Sequence, residues 1–261
     1  MQKSFLSISK AILALVIINV VGHYFYTRFD LTEDKRYTLS QPAIISVQDF
    51  QYPVIIDVLL DGNLPPEFIK LKGETQQLLE EFASENKNIK FNFVNPLEEE
   101  GGSENVIAEL RQLGLTPANV TLEENGKMSQ EIVFPWAMVN YNDKTIKVSL
   151  LKNKLGANTE DRVNNSVQHL EYAFADAFVK LTIKEKKRVA IIKGNGELED
   201  IYIADYLTTI RDYYNIGAIT LDSVATNPQK VLDQLKSFDL AIIAKPTQAF
   251  TDAEKYVMDQ Y

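Results

Sequence analysis

The chain has no cysteine, one tryptophan and two histidines in 261 residues. Without a thiol there is no disulfide, no thiol–disulfide exchange and no cysteine nucleophile. His23 and His169 stand alone, and no His, Asp and Glu residues share the spacing of a zinc site. A G-x-S-x-G elbow is missing, as is a Gly-Lys-Ser/Thr phosphate loop, so nucleophilic catalysis and nucleotide hydrolysis have almost no material. Positive charge is scarce too. Lys and Arg number 27 against 36 Asp and Glu, giving a net charge of −9, and the densest basic stretch is Lys184-Glu185-Lys186-Lys187-Arg188. Nucleic acid is excluded as a partner, because clustered cations supply most of that affinity. The basic stretch reads instead as cations offsetting a helix C-terminus. Neither an internal repeat nor a low-complexity tract is visible. No catalytic residue, metal or cofactor is assigned.

What stands out is Phe5–Tyr26, an apolar run whose single charge is Lys10. Ala11–Tyr26 as a helix spans about 24 Å, against a hydrocarbon core of about 30 Å. Extending it back through Ile8 and Leu6 closes the gap, with the Lys10 ammonium reaching the headgroups. A cleaved signal peptide would want small residues after the run, but Val20–Tyr26 is bulky. A buried core helix would show a polar face, and Ala11–Val21 offers only Asn19. The reading is an uncleaved transmembrane anchor over residues 1–28, with Tyr24 and Tyr26 at the interface. Lys3 and Lys10 before the span favour a cytoplasmic N-terminus, which puts the bulk on the periplasmic side of the cytoplasmic (inner) membrane. The absence of cysteine fits that compartment.

The remainder suits two domains of mixed α/β class. A connector (29–50) carries Ser40 and Pro42, the start of a short helix through about Phe50. Residues 51–156 form the first domain. Val54–Leu60 reads as a buried strand, and Pro65-Pro66 opens a helix with Phe68, Leu71, Leu78, Leu79 and Phe82 on one stripe. Ile89–Val94 is a second strand, followed by a helix around Glu104–Leu113. Strands are then expected near Asn119–Glu123, Gln130–Tyr141 and Thr145–Leu150, with hairpin chemistry at Asn125-Gly126 and Asn142-Asp143. This order resembles a thioredoxin-like domain without its redox centre. Phe134-Pro135, inside a strand pattern, is a place for the cis-proline such folds often carry, or for a bulge or edge. Glu160–Ile183, with Val163, Val167, Leu170, Phe174, Phe178 and Leu181 at helical spacing, is expected as one bridging helix (157–187).

The second domain (188–261) alternates strand and helix: Val189–Ile192, Asp200–Tyr213, Ala218–Leu221, Pro228–Phe238, Leu240–Ala244, then a capping box at Thr251 and Glu254. That alternation implies a parallel, flavodoxin-like sheet. Three strands leave an edge, and Tyr261 falls inside a helix, so a longer protein is expected.

The most site-like motif is Gly194-Asn195-Gly196-Glu197, between a parallel strand and a helix, where crevices form. Backbone N–H groups there can hold an anion. But there is no third glycine, and Glu197, Glu199 and Asp200 repel phosphate, so a tight β-to-α turn is the simpler reading. Glu98-Glu99-Glu100 lacks the alternating oxygen ligands of a calcium loop and reads as a solvated acidic loop. Trp136 reads as core, and His169 as a packing or surface residue.

The stretch Phe29-Asp30-Leu31-Thr32-Glu33-Asp34-Lys35-Arg36-Tyr37-Thr38-Leu39-Ser40 resembles the D-L-T-x-x-K-R-Y-(T/S)-L-S segment of the GldG family, gliding-motility-associated auxiliary proteins of ABC-type transport systems. The Pro53–Leu60 strand, the Asn164–Phe178 helix, Val189–Glu197 and Asp239–Pro246 with Phe250-Thr251 resemble that family in the same order. Asn195 departs from it, since the family usually has Gly-His-Gly-Glu there. The resemblance implies a membrane-anchored, largely periplasmic, non-enzymatic subunit beside an ABC permease and its ATPase, with homo-oligomerisation left open. A solute-binding module with a ligand between the two α/β domains is the first alternative, and a hydrolase or amidotransferase built on the second domain is the weakest.

Overall fold

Pattern and turn chemistry place most elements where the chain needs them. The computed structural model describes residues 38–98, 103–124, 127–152 and 156–261, together with Leu13 and Leu15. Gln41–Tyr261 forms one compact unit. The elements are α1 (Gln41–Gln48), β1 (Val54–Val58), α2 (Pro66–Glu85), β2 (Ile89–Phe93), α3 (Ser103–Gln112), β3 (Ala118–Glu124), β4 (Lys127–Val133), β5 (Trp136–Tyr141) and β6 (Lys144–Ser149). They continue with α4 (Thr159–Val167), α5 (Leu170–Thr182), β7 (Arg188–Lys193), a 3₁₀ turn (Asp200–Ile203), α6 (Ala204–Arg211), β8 (Asn215–Thr220), α7 (Pro228–Leu235), β9 (Leu240–Ile243) and α8 (Asp252–Gln260). The anchor expected over Phe5–Tyr26 lies outside the described residues, except that Leu13 and Leu15 are helical and exposed. Among the described residues no helix is long and apolar enough to cross a membrane.

The first sheet has the order β2-β1-β5-β6. β1 and β2 are parallel, while β5 runs antiparallel to both β1 and β6. Val54, Ile56 and Val58 of β1 are fully buried, whereas Ile55 is 36% exposed. The strand read over Val54–Leu60 is thus shorter, Val54–Val58, and it alternates, because one face of this sheet is only partly covered. α2 starts at Pro66, where a missing N–H costs nothing. Its buried stripe is Phe68, Leu71, Thr75, Leu79 and Phe82. Thr75 completes the stripe by donating its hydroxyl to the Leu71 carbonyl at 2.7 Å, and Leu78 is half-buried. Asn86 and Asn88 fasten the end of α1: both side-chain amides donate to Phe50 O, and that of Asn86 also reaches Val47 O.

Two expectations fail in an instructive way. Gln130–Tyr141 is not one strand. β4 pairs only with β3, in a separate two-stranded sheet, and β5 joins the main sheet. The break is Phe134-Pro135: proline has no N–H for a ladder, and its carbonyl instead accepts from Leu150 N at 2.9 Å. No cis peptide bond occurs among the described residues. The crossover buries Phe134 with Leu59 and Leu115, under Ile107 and Leu110 of α3. Leu113, expected at the end of that helix, falls just past it and is 53% exposed.

Nor is Glu160–Ile183 one helix. It divides into α4 and α5 at Gln168-His169. Ser166 is the cause. Its hydroxyl donates to Arg162 O and accepts from Lys152 N at 2.8 Å, and its carbonyl takes His169 N, an i→i−3 bond that tightens the turn. α5 then packs against α1, α2, β5 and β6. Leu170, Phe174, Phe178 and Leu181 are buried as the spacing requires.

The last sheet is parallel, in the order β8-β7-β9. β7 is buried on both faces. Ala190 and Ile192 pack with Val231, Leu235 and Val257 of α7 and α8. Val189 and Ile191 pack with Leu207 of α6. A strand sandwiched this way must be a continuous apolar run, which is what Val-Ala-Ile-Ile supplies. The capping box of α8 forms: Thr251 Oγ1 accepts from Glu254 N, and Glu254 Oε2 accepts from Thr251 N at 2.6 Å.

Candidate functional site

At the carboxyl end of β7 the chain turns through Gly194 (φ +123°) and Gly196 (φ +69°). Glycine is required at the second. A Cβ there would lie 2.2 Å from Thr247 Oγ1, and that hydroxyl donates to Gly196 O at 2.9 Å. Asn195, between them, is 5% exposed. Its carbonyl accepts from Thr247 N and Gln248 N, and its amide donates to Glu254 Oε2 at 3.2 Å. Its backbone N–H donates to Glu197 Oε2 at 2.8 Å. A carboxylate of the loop itself thus occupies the N–H that an anion would use. Asn195 Oδ1 and Glu197 Oε1 are buried and accept no hydrogen bond among the described residues. Burial raises the Glu254 carboxyl, but the Thr251 backbone and side chain and the Asn195 amide outweigh this and hold it below its ordinary value of 4.5. Lys193 donates to Leu198 O and pairs with Asp200 at 2.8 Å. The structure therefore unites Gly194, Asn195, Gly196 and Glu197 with α8 in one acidic knot.

A larger concavity lies elsewhere. A cleft of about 810 Å³ opens between β3, the edge of β6, and the α4–α5 junction. Its residues run from Thr116 to Asp176, so the Gly194–Glu197 loop is not part of it. Trp136 and Leu151 line its apolar part, Lys147, Lys152 and Arg162 bring positive charge, and His169 stands on the same rim. Trp136 is half-buried and donates its indole N–H to Thr116 O at 2.8 Å. His169 is exposed at the helix break. Tyr172, 71% exposed, stands beside it on α5. Sequence reading treated Trp136 and His169 singly and missed Lys147, Leu151, Lys152, Arg162 and Tyr172. The cations come from a strand, a loop and a helix, and only the α4–α5 break brings them to one side.

Asp176, the acid of the cleft, is already engaged. It pairs with Lys180 at 2.9 Å and accepts from the Tyr213 hydroxyl. Lys180 also pairs with Asp212 at 2.8 Å. Burial lowers the Lys180 pKa, but hydrogen bonds to Asp212 and Asp176 outweigh it and leave it raised. Burial, then the Asp176 carboxylate, push the Tyr213 phenol up to about 12. This network ties α5 to the end of α6. Among the described residues no three His, Asp or Glu side chains gather as a metal site would need.

Residues 186–261, which hold the β8-β7-β9 sheet, match a family described as an ABC-type uncharacterized transport system. The match supports a place among the auxiliary components of ABC-type transport. Residues 33–140 match a domain of unknown function (DUF7088). No curated protein and no solved structure matches the chain.

Proposed function

We propose that this chain is a non-catalytic, membrane-anchored accessory subunit of an ABC-type transport complex associated with gliding motility, acting through contacts with the permease and ATPase subunits. The carrying observation is the match of residues 186–261 to the ABC-type transport family. The GldG-like stretch Phe29–Ser40 adds the gliding association, and the apolar run Phe5–Tyr26 adds an inner-membrane anchor with the bulk on the periplasmic side. The parallel β1–β2 pair extended by antiparallel β5 and β6 supports a thioredoxin-like first domain (51–156), which without cysteine is left as a binding scaffold. The three parallel strands with helices on both faces support a flavodoxin-like second domain (188–261), bridged by 157–187.

The Gly194–Glu197 loop serves in this reading as a partner contact, made through the exposed backbone at Gly194 and Gly196. The test is a pull-down of the full-length protein in gentle detergent, with mass spectrometry of what accompanies it. Permease and ATPase in fixed proportion are expected. Recovery of the protein alone defeats the accessory reading and brings forward a solute-binding module.

A further inference from the structure

The geometry points to the β6 cleft as the seat of an acidic, extended peptide segment of a partner protein, laid along the open edge of β6. This rests on the accessory-subunit reading and gives the partner's contact its chemistry.

Charge selects the occupant. Lys147, Lys152 and Arg162 bring positive charge to the cleft, and the one acid among its described lining residues, Asp176, is held by Lys180 and Tyr213. On a chain of net charge −9 this is a local reversal of sign, which steers acidic partners to one place. Shape and backbone select its conformation. β6 is the last strand of its sheet and pairs only with β5, so its outer edge offers main-chain groups to an added strand. An added strand sends alternate side chains to opposite faces, one of them the face that Lys147 and Ser149 share.

Lysine on an edge strand is also a device against self-association. Both roles follow from one charge: these lysines repel a second copy of β6 and attract an acidic strand. A small anion is the poorer occupant. Its site needs converging, desolvated donors, whereas Lys147, Lys152 and His169 are exposed and spread over three elements.

The test uses the full chain in mild detergent and fluorescence anisotropy with a fluorescein-labelled peptide of about ten alternating glutamate and valine residues. Its lysine–valine counterpart and a version N-methylated at alternate backbone positions serve as comparisons. The glutamate peptide is expected to bind, more weakly as salt rises, and the other two to bind at least about tenfold less tightly. Lys152→Glu and His169→Glu, both at exposed positions, are each expected to weaken it about tenfold with an unchanged circular dichroism spectrum.

Equal binding of the lysine peptide, or unchanged affinity in both variants, overturns the inference. So does displacement by millimolar inorganic phosphate with full binding of the N-methylated peptide, which marks a small-anion site. The pull-down separates the two readings. If the wild type brings down permease and ATPase but binds no acidic peptide, the accessory role stands and the cleft assignment falls. If it binds the peptide but brings down neither subunit, the reverse holds.

Discussion

Phe178 is the side chain on which the first half of the molecule turns, and replacing it with alanine tests that role. It is fully buried on α5. Its ring meets Phe82 of α2 edge-on at 5.0 Å and Phe50, after α1, at 5.7 Å. It also lies 6.4 Å from Phe174. One ring therefore joins three helical segments over the sheet. Truncating a buried phenylalanine costs about 3–5 kcal/mol through lost transfer energy and the cavity left behind. The two edge-to-face contacts, about 0.5–1.5 kcal/mol each, place Phe178→Ala toward the upper end. Phe178→Leu, which keeps most of the volume, is expected to cost about 1–2 kcal/mol. Urea unfolding followed by tryptophan fluorescence suits the question, since Trp136 is the sole tryptophan and lies in β5 of the same sheet. The denaturant midpoint should fall with an unchanged slope. A loss below about 1 kcal/mol for Phe178→Ala refutes the reasoning, because α5 would then not be the clamp on the first sheet.

Gly196→Ala combines a left-handed φ of +69° with a Cβ 2.2 Å from Thr247 Oγ1, and should destabilise by about 2–4 kcal/mol. In a Thr247→Ala background the clash is relieved but the backbone strain stays, so a double-mutant cycle in urea should show a coupling above about 1 kcal/mol. Thr251→Ala should cost about 1 kcal/mol by removing the α8 cap. Because the Glu254 carboxyl is held low when folded, its contribution is present above its unfolded value near 4.5 and is lost as pH falls through the folded value. The stability gap between wild type and Glu254→Gln should therefore close in acid, and a gap constant down to pH 3 contradicts the capping box. Tyr213, raised to about 12, contributes stability fully present below its ordinary value of 10 and lost as pH climbs toward 12. An ultraviolet titration of wild type minus Tyr213→Phe should show a phenol ionising about two units late, and a difference curve centred at 10 breaks the Asp176–Tyr213 assignment.

Much of this molecule is local and so was readable before any coordinates. The Thr251–Glu254 capping box, the Pro66 start of α2 and the apolar run of β7 each rest on chemistry within a few residues, and each formed as expected. The parallel last sheet follows from strand–helix alternation, because each intervening helix carries the chain back to the same end of the sheet before the next strand starts. The places where periodicity misled are those where a distant partner intervened. Apolar spacing runs smoothly through Gln130–Tyr141 and Glu160–Ile183, so sequence joins what the structure divides. Pro135 O accepts from Leu150 N, and Ser166 takes the backbone of Lys152, bonds that no local window contains.

The candidate sites divide along the same line. Gly194–Glu197 was visible as a loop after a strand, because two glycines flanking a polar residue there have a conformational cause. That Glu197 would fill its own anion position, and that Asn195 would be locked to α8, required the fold. The cleft was invisible: Lys147, Lys152, Arg162 and His169 have no common spacing, and they share one rim only because α4 breaks at Gln168-His169 beside the edge of β6. By itself the sequence determined composition, the absence of thiol chemistry, the apolar N-terminal run and most helices and strands, all properties of short windows. The tertiary structure alone decided which strands pair, where two elements separate, and where charge gathers, since each of these depends on contacts between residues remote along the chain.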